Sequence, residues 1–416
     1  MHARATLACL TASLLLAGCS DASRSQAAAP KWPLPRLELG LMDVEGGAAK
    51  LAESAPLKLR YHYLAGGVNT SDPWTRWGRG DGRFVDDYVT ESRAAGMVPV
   101  FTYYELRQSL PGGNLSDEQE AIHTNLRDTG TMRAYLENLR VLFDHLGEVG
   151  GPAVVHVEPD LWGYVQQRSG DDARKAHAQV AATGVDGTDG LPDTVAGLAQ
   201  AVKALRDELA PEVVLGYGLS IWGTNKDIVI SDESAASVDA LSARSVRFYR
   251  SLGTRFDTVF GELSDRTSGY AQNRSGAGPE AWWDSADFAR HLRFMRRVHE
   301  GTKRPIALWQ IPLGNTVMRS SDNSVRHYQD NRVQWFLSPA HQYRKLRAYR
   351  DAGVVALLFG PGQGDDTHAD DDAGDGVTNP APVTGNRRVA TSADDDGGLF
   401  KQRVRAYGKR GPLKLK

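Results

Sequence analysis

Polar side chains gather at the end of one apolar run, in the segment Val155–Asp160. Side chains alternate between the two faces of a strand, so His156, Glu158 and Asp160 are predicted to share one face of it, opposite Val155 and Val157. Pro159 has no backbone N–H to donate and therefore ends the strand. The pattern predicts an imidazole and two carboxylates where a strand opens into a loop, a set that can donate and accept protons.

Another apolar run ends in the same way, with Glu262 as its last polar residue. Two carboxylates that flank one bond can protonate the leaving oxygen and supply a base or nucleophile, which is the chemistry of glycoside hydrolysis. Burial would keep the acid protonated. We predict Glu158 as the acid and Glu262 as the second carboxylate, with Asp160 and Asp43 as further candidates. Retaining and inverting mechanisms both stay open, because the sequence gives no separation between the carboxylates.

Other apolar runs end in aromatic, amide or imidazole groups that could hold a sugar. The predicted substrate-binding residues are Asp43, His62, Tyr63, Tyr104, Glu105, His156, Trp162, Trp222, Trp309, Gln310 and Asn315. The alternative for any one of them is a buried polar network satisfied by Arg60 or a tyrosine. The loop tryptophans also have two interpretations: they pack beneath the loops, or they stack on sugar rings. These tryptophans are Trp74, Trp77, Trp282, Trp283 and Trp335.

The elements that must position these residues are short apolar runs that alternate with helical patterns. Runs bounded by Gly or Pro indicate strands buried on both faces, and their alternation with helices indicates a parallel sheet. The predicted strands are Leu37–Asp43, Leu57–Leu64, Val98–Glu105, Ala153–Asp160, Val213–Ile221, Phe256–Leu263, Ile306–Leu313 and Val354–Gly360. Eight such strands predict a closed (β/α)8 barrel of the α/β class. The alternative, an open doubly wound sheet, lacks its Gly-rich phosphate fingerprint here.

Helices are predicted between these strands, and the long insertions follow strands rather than precede them. The helical patterns are Met132–Leu146, Thr194–Leu209, Ala235–Leu252, Ala286–His299 and Tyr343–Ala352. The insertions are Gly66–Gly82, Arg107–Gly130, Tyr164–Gly190, Arg266–Asp284 and Asn315–Ser338. In a barrel these are βα loops, which build the face where barrel enzymes keep their active sites.

The N-terminal segment predicts export and lipid anchoring. A basic start is followed by the apolar run Leu7–Ala17, which is too short to span a bilayer. Leu16-Ala17-Gly18-Cys19 resembles the bacterial lipobox, which implies cleavage before Cys19 and lipidation of its thiol. Cleavage would leave Cys19 as the only cysteine. The predicted organisation is a signal peptide over 1–18, a tether over 19–35, a barrel over 36–410 and a basic tail over 411–416, anchored in the cell envelope.

Over roughly residues 37–410 the chain resembles the superfamily of (β/α)8-barrel glycoside hydrolases. The stretch Val157–Leu161 is similar to the Glu-Pro-Asp signature of the family 6 cellulases, although His156 and Trp162 depart from its flanking residues. That family's Arg-Asp-Cys signature has no counterpart. Related barrels place a nucleophilic Glu on strand seven, where this chain has Gln310. The resemblance implies a sugar-active barrel that needs no cofactor, with a carbohydrate as its partner.

Other compositional features exclude some functions and leave alternatives. With 49 basic and 51 acidic side chains, the chain gives no argument for nucleic acid as a partner. No zinc, nucleophile-elbow or P-loop motif occurs. The acidic segment Asp365–Asp375 could hold a structural calcium ion, although a solvated loop fits its spacing better. Two rival functions remain: a non-catalytic glycan-binding barrel, and a metal-dependent hydrolase or lyase that uses His62, His156, Glu158 and His368.

Overall fold

In a computed structural model, which describes residues 31–263, 267–362 and 364–416, eight parallel strands close into a barrel in sequential order. Each strand pairs with its neighbours along the chain, and β8 closes on β1 through the register Leu39 to Leu357. The strands are β1 Glu38–Met42, β2 Leu59–Ala65, β3 Val98–Tyr104, β4 Val154–Val157, β5 Val214–Leu219, β6 Thr258–Glu262, β7 Ile306–Ile311 and β8 Val354–Phe359.

The helices surround the barrel and bury an apolar stripe against it. They are α1 Ala48–Ser54, α2 Phe84–Ala94, α3 Glu118–Arg127, α4 Thr129–Val149, α5 Leu161–Ser169, α6 Val195–Leu209, α7 Ala235–Ser251, α8 Ser268–Arg274, α9 Ser285–Thr302, α10 Arg332–Phe336, α11 Arg344–Asp351 and α12 Leu399–Arg410. Side-chain caps fix several starts: the Thr194 hydroxyl accepts from Gly197 N at α6, for example. Within the described ranges, none of these helices has the length and apolar character that a membrane span requires.

Two apolar layers hold the fold together, one inside the barrel and one between the barrel and its helices. The interior layer consists of one set of alternate strand residues, Leu59, Tyr61, Val100, Val154, Val214, Phe260, Ala307, Trp309, Ala356 and Leu358. The opposite set, which includes Val155 and Val157, packs under the helices. This alternation decides which polar residues can reach the mouth, the open end formed by the carboxyl ends of the strands.

The structure confirms the predicted (β/α)8 barrel, and each of the eight predicted strands overlaps an observed one. The five predicted helices correspond to α4, α6, α7, α9 and α11. Helices α1, α2, α3, α5, α8, α10 and α12 were not predicted, since most of them are short or lie inside segments that read as loops. The predicted insertions after β3 and β4 therefore contain helices of their own.

Both described ends of the chain meet at the base, the face formed by the amino ends of the strands. Leu37 N donates to Leu413 O at 2.8 Å, and Leu415 N donates to Pro35 O at 3.1 Å. The Tyr407 hydroxyl donates to Leu37 O at 3.0 Å. Residues 411–416, predicted as a separate tail, are thus paired with the segment that enters β1. The predicted signal peptide, Cys19 and most of the tether lie outside the described residues.

Candidate active site

The floor of the mouth is made by aromatic rings from β2, β3, β4 and β7. The ring of Tyr63 lies 5.7 Å from that of Trp309 and 6.3 Å from that of Tyr104, measured between centroids. Trp309 also contacts the ring of His156 at 4.8 Å. Tyr63 and Tyr104 are half-buried whereas Trp309 is buried. The tyrosines therefore present a partly exposed aromatic surface, supported from below by Trp309.

His156 belongs to the interior of the barrel rather than to an accessible binding surface. Its ring stacks on Phe260 with centroids 4.3 Å apart and an interplanar angle of 5°. Only 1% of the residue is exposed. Burial lowers the pKa of His156 to about 3, so the imidazole is neutral at physiological pH. The prediction that His156 shares the face of β4 that points into the barrel is confirmed, but the residue lies below the level at which a substrate would bind.

Asp160 lies at the mouth, immediately before α5, and is partly exposed. The phenol of Tyr104 donates a hydrogen bond to its carboxylate. Burial and the neighbouring Asp160 charge raise the pKa of Tyr104, which keeps the phenol protonated as that donor. Asp160 is also the residue that precedes the first turn of α5, where the helix dipole favours a negative charge. Its carboxylate is therefore held and oriented at the edge of the aromatic floor.

Glu262 ends β6 and is 6% exposed. The indole N–H of Trp222 donates to its Oε2 at 3.1 Å. Trp222 follows β5 and packs against the ring of Tyr164, with centroids 4.8 Å apart. Burial raises the pKa of Tyr164, and so does the Glu118 carboxylate, which accepts a hydrogen bond from the phenol at 2.9 Å. The charges of Asp160 and Glu262 add smaller effects in the same direction. Tyr164 follows Asp160 by one helical turn, with its backbone N–H donating to Asp160 O at 3.1 Å, so the pair of Trp222 and Tyr164 lies between the segments that carry the two acids.

Glu158 has a different position from the one predicted. Its backbone has φ +50°, which breaks the strand alternation just after Val157. As a result Oε1 accepts hydrogen bonds from the backbone N–H groups of Glu105 at 3.1 Å and Leu106 at 3.0 Å. The residue is completely buried. The carboxylate therefore holds the loop after β3 and does not face the mouth beside Asp160.

Glu105, predicted to bind substrate, is also fully buried and lies next to Glu158. Burial raises the pKa of Glu105 to about 8, and the nearby Glu158 charge adds to the shift. Burial likewise raises the pKa of Glu158 to about 8, while its two backbone hydrogen bonds oppose the shift. The pair forms a buried acid cluster between the β3 loop and α4, where Tyr135 lies beside Glu158.

On the β1, β7 and β8 side, the mouth continues as a cleft of about 420 Å³. Its lining consists of Met42, Tyr63, Gln310, Pro361, Gly362, Gly364, His368 and Asp372. Gln310 is fixed there because its side-chain amide donates to Pro361 O at 2.8 Å. A cavity of about 120 Å³ adjoins the cleft through Met42, Pro361 and His368 and reaches Asp43. Asp43 pairs with the Arg60 guanidinium at 2.6 Å.

Besides His156 and Glu105, three further predicted binding residues lie away from the mouth. His62 is on the outer face of β2, where its ring contacts Phe84 at 5.1 Å and Tyr88 at 5.6 Å. Trp162 is fully buried under α5 and donates its indole N–H to Val157 O at 2.8 Å. Asn315 is buried because its side chain ties a loop together, accepting from Met318 N and donating to Asp396 O. His62 points outward because it alternates with the inward-facing Tyr61 and Tyr63 along β2. Trp162 and Asn315 are buried by the packing of α5 and of the loop after β7.

The loop tryptophans divide between packing and partial exposure. Trp74 is fully buried and donates to Asn138 Oδ1 at 2.7 Å, and Trp283 is 4% exposed. Trp335 stacks on Phe288 with centroids 4.0 Å apart. Trp77 and Trp282 are also partly exposed. None of these five tryptophans takes part in the contacts described above for the mouth. The tryptophan that contacts a mouth carboxylate is Trp222.

In the described parts of the chain, no group of three or more His, Cys, Asp or Glu side chains is arranged to hold a metal ion. His62 and His156 point to opposite faces of the barrel wall, so the set proposed for a metal-dependent enzyme does not converge. In the acidic segment, Asp372 pairs with Arg326 at 2.8 Å, Asp375 with His327 at 3.2 Å and Asp365 with Arg274 at 3.5 Å. These carboxylates have arginine and histidine side chains as partners rather than a common centre, which does not support the calcium prediction.

Tyr164 and Asp372 are mouth residues that the sequence analysis missed. Tyr164 begins a segment predicted to be a long loop, whereas in the structure it lies one helical turn after Asp160 in α5, and its N–H donates to Asp160 O. Recognising Asp160 as a helix start would have placed Tyr164 on its side of the helix. Asp372 was read only as a member of an acidic loop; the fold of that loop, which the sequence does not reveal, brings it into the cleft.

No protein-family model matches the sequence, and no curated protein is significantly similar to it. Solved structures are similar at the level of the barrel. An endo-β-1,4-mannanase double mutant from Cellulomonas fimi is 10% identical with a TM-score of 0.48, over 90% of this chain and 71% of that chain. The endoglucanase Cel6 from Mycobacterium tuberculosis is 15% identical with a TM-score of 0.33, over 68% of this chain and 72% of that chain.

A D-psicose 3-epimerase from Clostridium cellulolyticum H10 is similar as well, at 9% identity and a TM-score of 0.40, over 91% of this chain and all of that chain. The structure and these matches agree on the barrel fold alone. At these identities the resemblance concerns the fold, which those hydrolases share with an epimerase.

Proposed function

We propose that the protein is a glycoside hydrolase that acts on a polysaccharide or oligosaccharide, with Asp160 and Glu262 as its catalytic carboxylates. The observation that carries this proposal is a chain of contacts at the mouth: Trp222 donates to Glu262 and packs on Tyr164, which lies one helical turn after Asp160. Asp160 follows β4 and Glu262 ends β6, so the two acids lie at the carboxyl ends of different strands. Barrel enzymes assemble their catalytic groups at this end of the strands. Glu158, the acid predicted from the sequence, holds a loop instead.

The aromatic surroundings of the pair suit a sugar. Tyr63, Tyr104 and Trp222 offer partly exposed ring faces on which the apolar face of a pyranose can stack. Gln310, His368 and Asp372 supply hydrogen-bonding groups along the adjoining cleft. The cleft, of about 420 Å³, joins the aromatic floor through Tyr63 and so offers room for further sugar units of an oligosaccharide. Ligand sites of this kind combine apolar walls with a few fixed polar groups.

The chemistry follows from the two acids. One protonates the glycosidic oxygen as the bond to the anomeric carbon breaks, while the other activates water or attacks that carbon. Tyr104 and Trp222 each donate one hydrogen bond to a carboxylate and so fix its orientation before the substrate arrives. Kinetics with an activated aryl glycoside decide which of Asp160 and Glu262 protonates the leaving oxygen and which acts as the base or nucleophile.

The sequence also supports a proposal for location. Because Leu16–Cys19 resembles a lipobox, we propose that the protein is exported and lipid-anchored through Cys19 in the cell envelope. The substrate would then be a glycan outside the cytoplasm.

The test is a comparison of wild type with Asp160→Asn and Glu262→Gln on a panel of polysaccharides, with release of reducing ends as the measurement. We expect wild type to release sugar and each variant to lose about a thousandfold or more in kcat. An exposed-carboxylate variant, Glu53→Gln, is the matched control and should keep full activity. Circular dichroism must show that the variants fold.

An aryl glycoside with an acidic leaving group assigns the roles, because its departure needs no protonation. The variant of the acid keeps most of its activity on that substrate, whereas the variant of the base or nucleophile does not. Sugar binding without release by wild type would sink the catalytic proposal and favour the glycan-binding barrel. Activity that survives in both variants would exclude this pair.

A further inference from the structure

The base of the barrel carries a concentration of basic side chains, which we call the base cluster. Its members are Lys31, Arg36, Lys58, Lys409, Arg410, Lys414 and Lys416. Six of these are exposed and Arg36 is partly exposed. The whole protein has a formal charge of −2, so this positive surface is a local feature and not a consequence of overall composition.

The fold brings these residues together from both chain ends and the start of β2. Arg36 and Lys414 form an isolated antiparallel bridge. Lys58 N donates to Leu39 O at 3.0 Å, and the charges of Lys58 and Arg36 both lower the pKa of Glu38 against the larger effect of burial. Gly408 packs against Pro56 so closely that a Cβ there would lie 2.7 Å from its ring. The end of α12 is therefore fixed beside Lys58.

The acids nearest this cluster are Glu38, Glu53 and Asp351. Four exposed acids lie before β4, β5 and β7, in other sectors of the base: Glu148, Glu208, Glu212 and Glu300. Glu38 is 8% exposed and lies inside the start of β1. Asp351 pairs with Arg350 at 2.7 Å and with Lys416 at 3.0 Å, while 68% of the Lys416 side chain stays exposed. Lys303 and Arg304, which precede β7, extend the positive surface to the next sector of the base.

The chain segment that precedes the barrel reaches it at this same face. Trp32 and Leu34 pack against the interior apolar layer from below, next to Leu59 and Val98. Lys31, the first described residue, therefore lies at the base, and the mouth with Asp160 and Glu262 lies at the opposite ends of the strands. Strands of four to seven residues separate the two faces by about 13 to 23 Å.

From this charge distribution and the point of chain entry, we propose that the base cluster binds the acidic phospholipid headgroups of a bilayer. Lys and Arg near an anionic membrane surface each strengthen binding by about fivefold. Docking on this face directs the mouth away from the membrane, so the glycan is reached from the side opposite the bilayer. The lipid contact does not depend on the hydrolase proposal, and with an anchor on Cys19 the two would act as paired membrane signals.

The experiment uses the unlipidated chain from Ser20 onward, which keeps every contact described for residues 31–416. Sedimentation is measured with phosphatidylcholine vesicles and with vesicles in which about a third of the lipid is phosphatidylglycerol. We expect binding to the acidic vesicles alone, and its loss as salt is raised. The base variant changes Lys409, Arg410, Lys414 and Lys416 to Gln. The matched control changes Arg76, Arg79, Lys175 and Lys226 to Gln, which removes four exposed charges from loops on the mouth side.

The base variant is expected to bind acidic vesicles about tenfold or more weakly, while the control binds like wild type. A second base variant, Lys31→Gln with Lys58→Gln, leaves α12 untouched and should weaken binding in the same direction if the first one is unstable. Equal loss in base variant and control would mean that overall charge is responsible and would overturn the proposal. Binding to neither vesicle, or equally to both, would also overturn it. None of these outcomes bears on sugar release, which is measured separately.

Discussion

Glu158 Oε1 accepts a hydrogen bond of 3.0 Å from the backbone N–H of Leu106, across the junction of β3 and β4. The same oxygen accepts from Glu105 N, so one carboxylate satisfies two N–H groups of the loop that follows Tyr104. Tyr104 in turn donates to Asp160. Glu158 therefore positions the mouth indirectly, by fixing the backbone next to a residue that orients a proposed catalytic acid.

This relationship predicts different results for two substitutions at Glu158. Glu158→Gln keeps an oxygen that can accept both hydrogen bonds, so we expect kcat to stay within about tenfold of wild type. Glu158→Ala leaves two buried N–H groups unsatisfied and opens a cavity, so the free energy of unfolding should fall by about 2 to 4 kcal/mol. Denaturant unfolding and sugar release measure the two effects. A thousandfold loss of kcat in the stable Gln variant would restore Glu158 as the catalytic acid.

The buried acids Glu105 and Glu158 predict that stability falls as pH rises. The pKa of each carboxyl is raised to about 8 in the folded protein, against an ordinary value of 4.5 in an unfolded chain. The folded state thus binds more protons than the unfolded state between these values, and its stability decreases with pH across that interval. The buried imidazoles of His156 and His123, whose pKa values burial lowers to about 3 and about 4, act in the opposite direction below about pH 6.5. We therefore expect the free energy of unfolding to decline between about pH 6.5 and about pH 8, by a few kcal/mol.

Glu105→Gln is the variant that tests this dependence, because it removes one titrating group and preserves its shape. Its free energy of unfolding should vary less with pH than that of wild type and should exceed it near pH 8. Glu53→Gln, on the exposed side of α1, serves as the control and should leave the pH profile unchanged. Parallel profiles for wild type and Glu105→Gln would show that this carboxyl is not protonated in the folded protein.

The barrel was predictable from the sequence because strands buried on both faces form apolar runs that Gly and Pro delimit. The site was predictable only in part. Asp160, Glu262, Tyr63, Tyr104, Trp222 and Gln310 reach the mouth, as strand ends indicate. Glu158 does not, because its left-handed backbone reverses the alternation on which the prediction depended. His62 was assigned to the wrong face of β2, since Arg60, His62 and Leu64 point outward there and Tyr61 and Tyr63 inward.

Trp222 offers a prediction that separates binding from chemistry. Its indole N–H holds Glu262, and its ring packs on Tyr164 at the mouth. Trp222→Phe keeps an aromatic face but removes the donor, so kcat should fall about tenfold with little change in KM. Trp222→Ala should also raise KM, because a stacking surface is lost. Initial rates on the best polysaccharide measure both constants. Unchanged kcat in the Phe variant would mean that the hydrogen bond to Glu262 has no catalytic role.

The buried pair Asp330 and Arg332 predicts how firmly the loops after β6 and β7 are held. Asp330 Oδ2 accepts from Arg332 Nη1 at 2.6 Å and from Ser268 N at 2.9 Å, and both charged residues are fully buried. Removing the carboxylate leaves a buried guanidinium without its counter-ion, so Asp330→Ala should lower the free energy of unfolding by about 3 to 5 kcal/mol. The comparison is the exposed ion pair of Arg297 and Glu300, whose Nη1 and Oε2 atoms lie 3.0 Å apart. Glu300→Ala should cost less than about 1 kcal/mol. Similar losses in the two variants, measured by denaturant unfolding, would show that water reaches the Asp330 site and screens its charge.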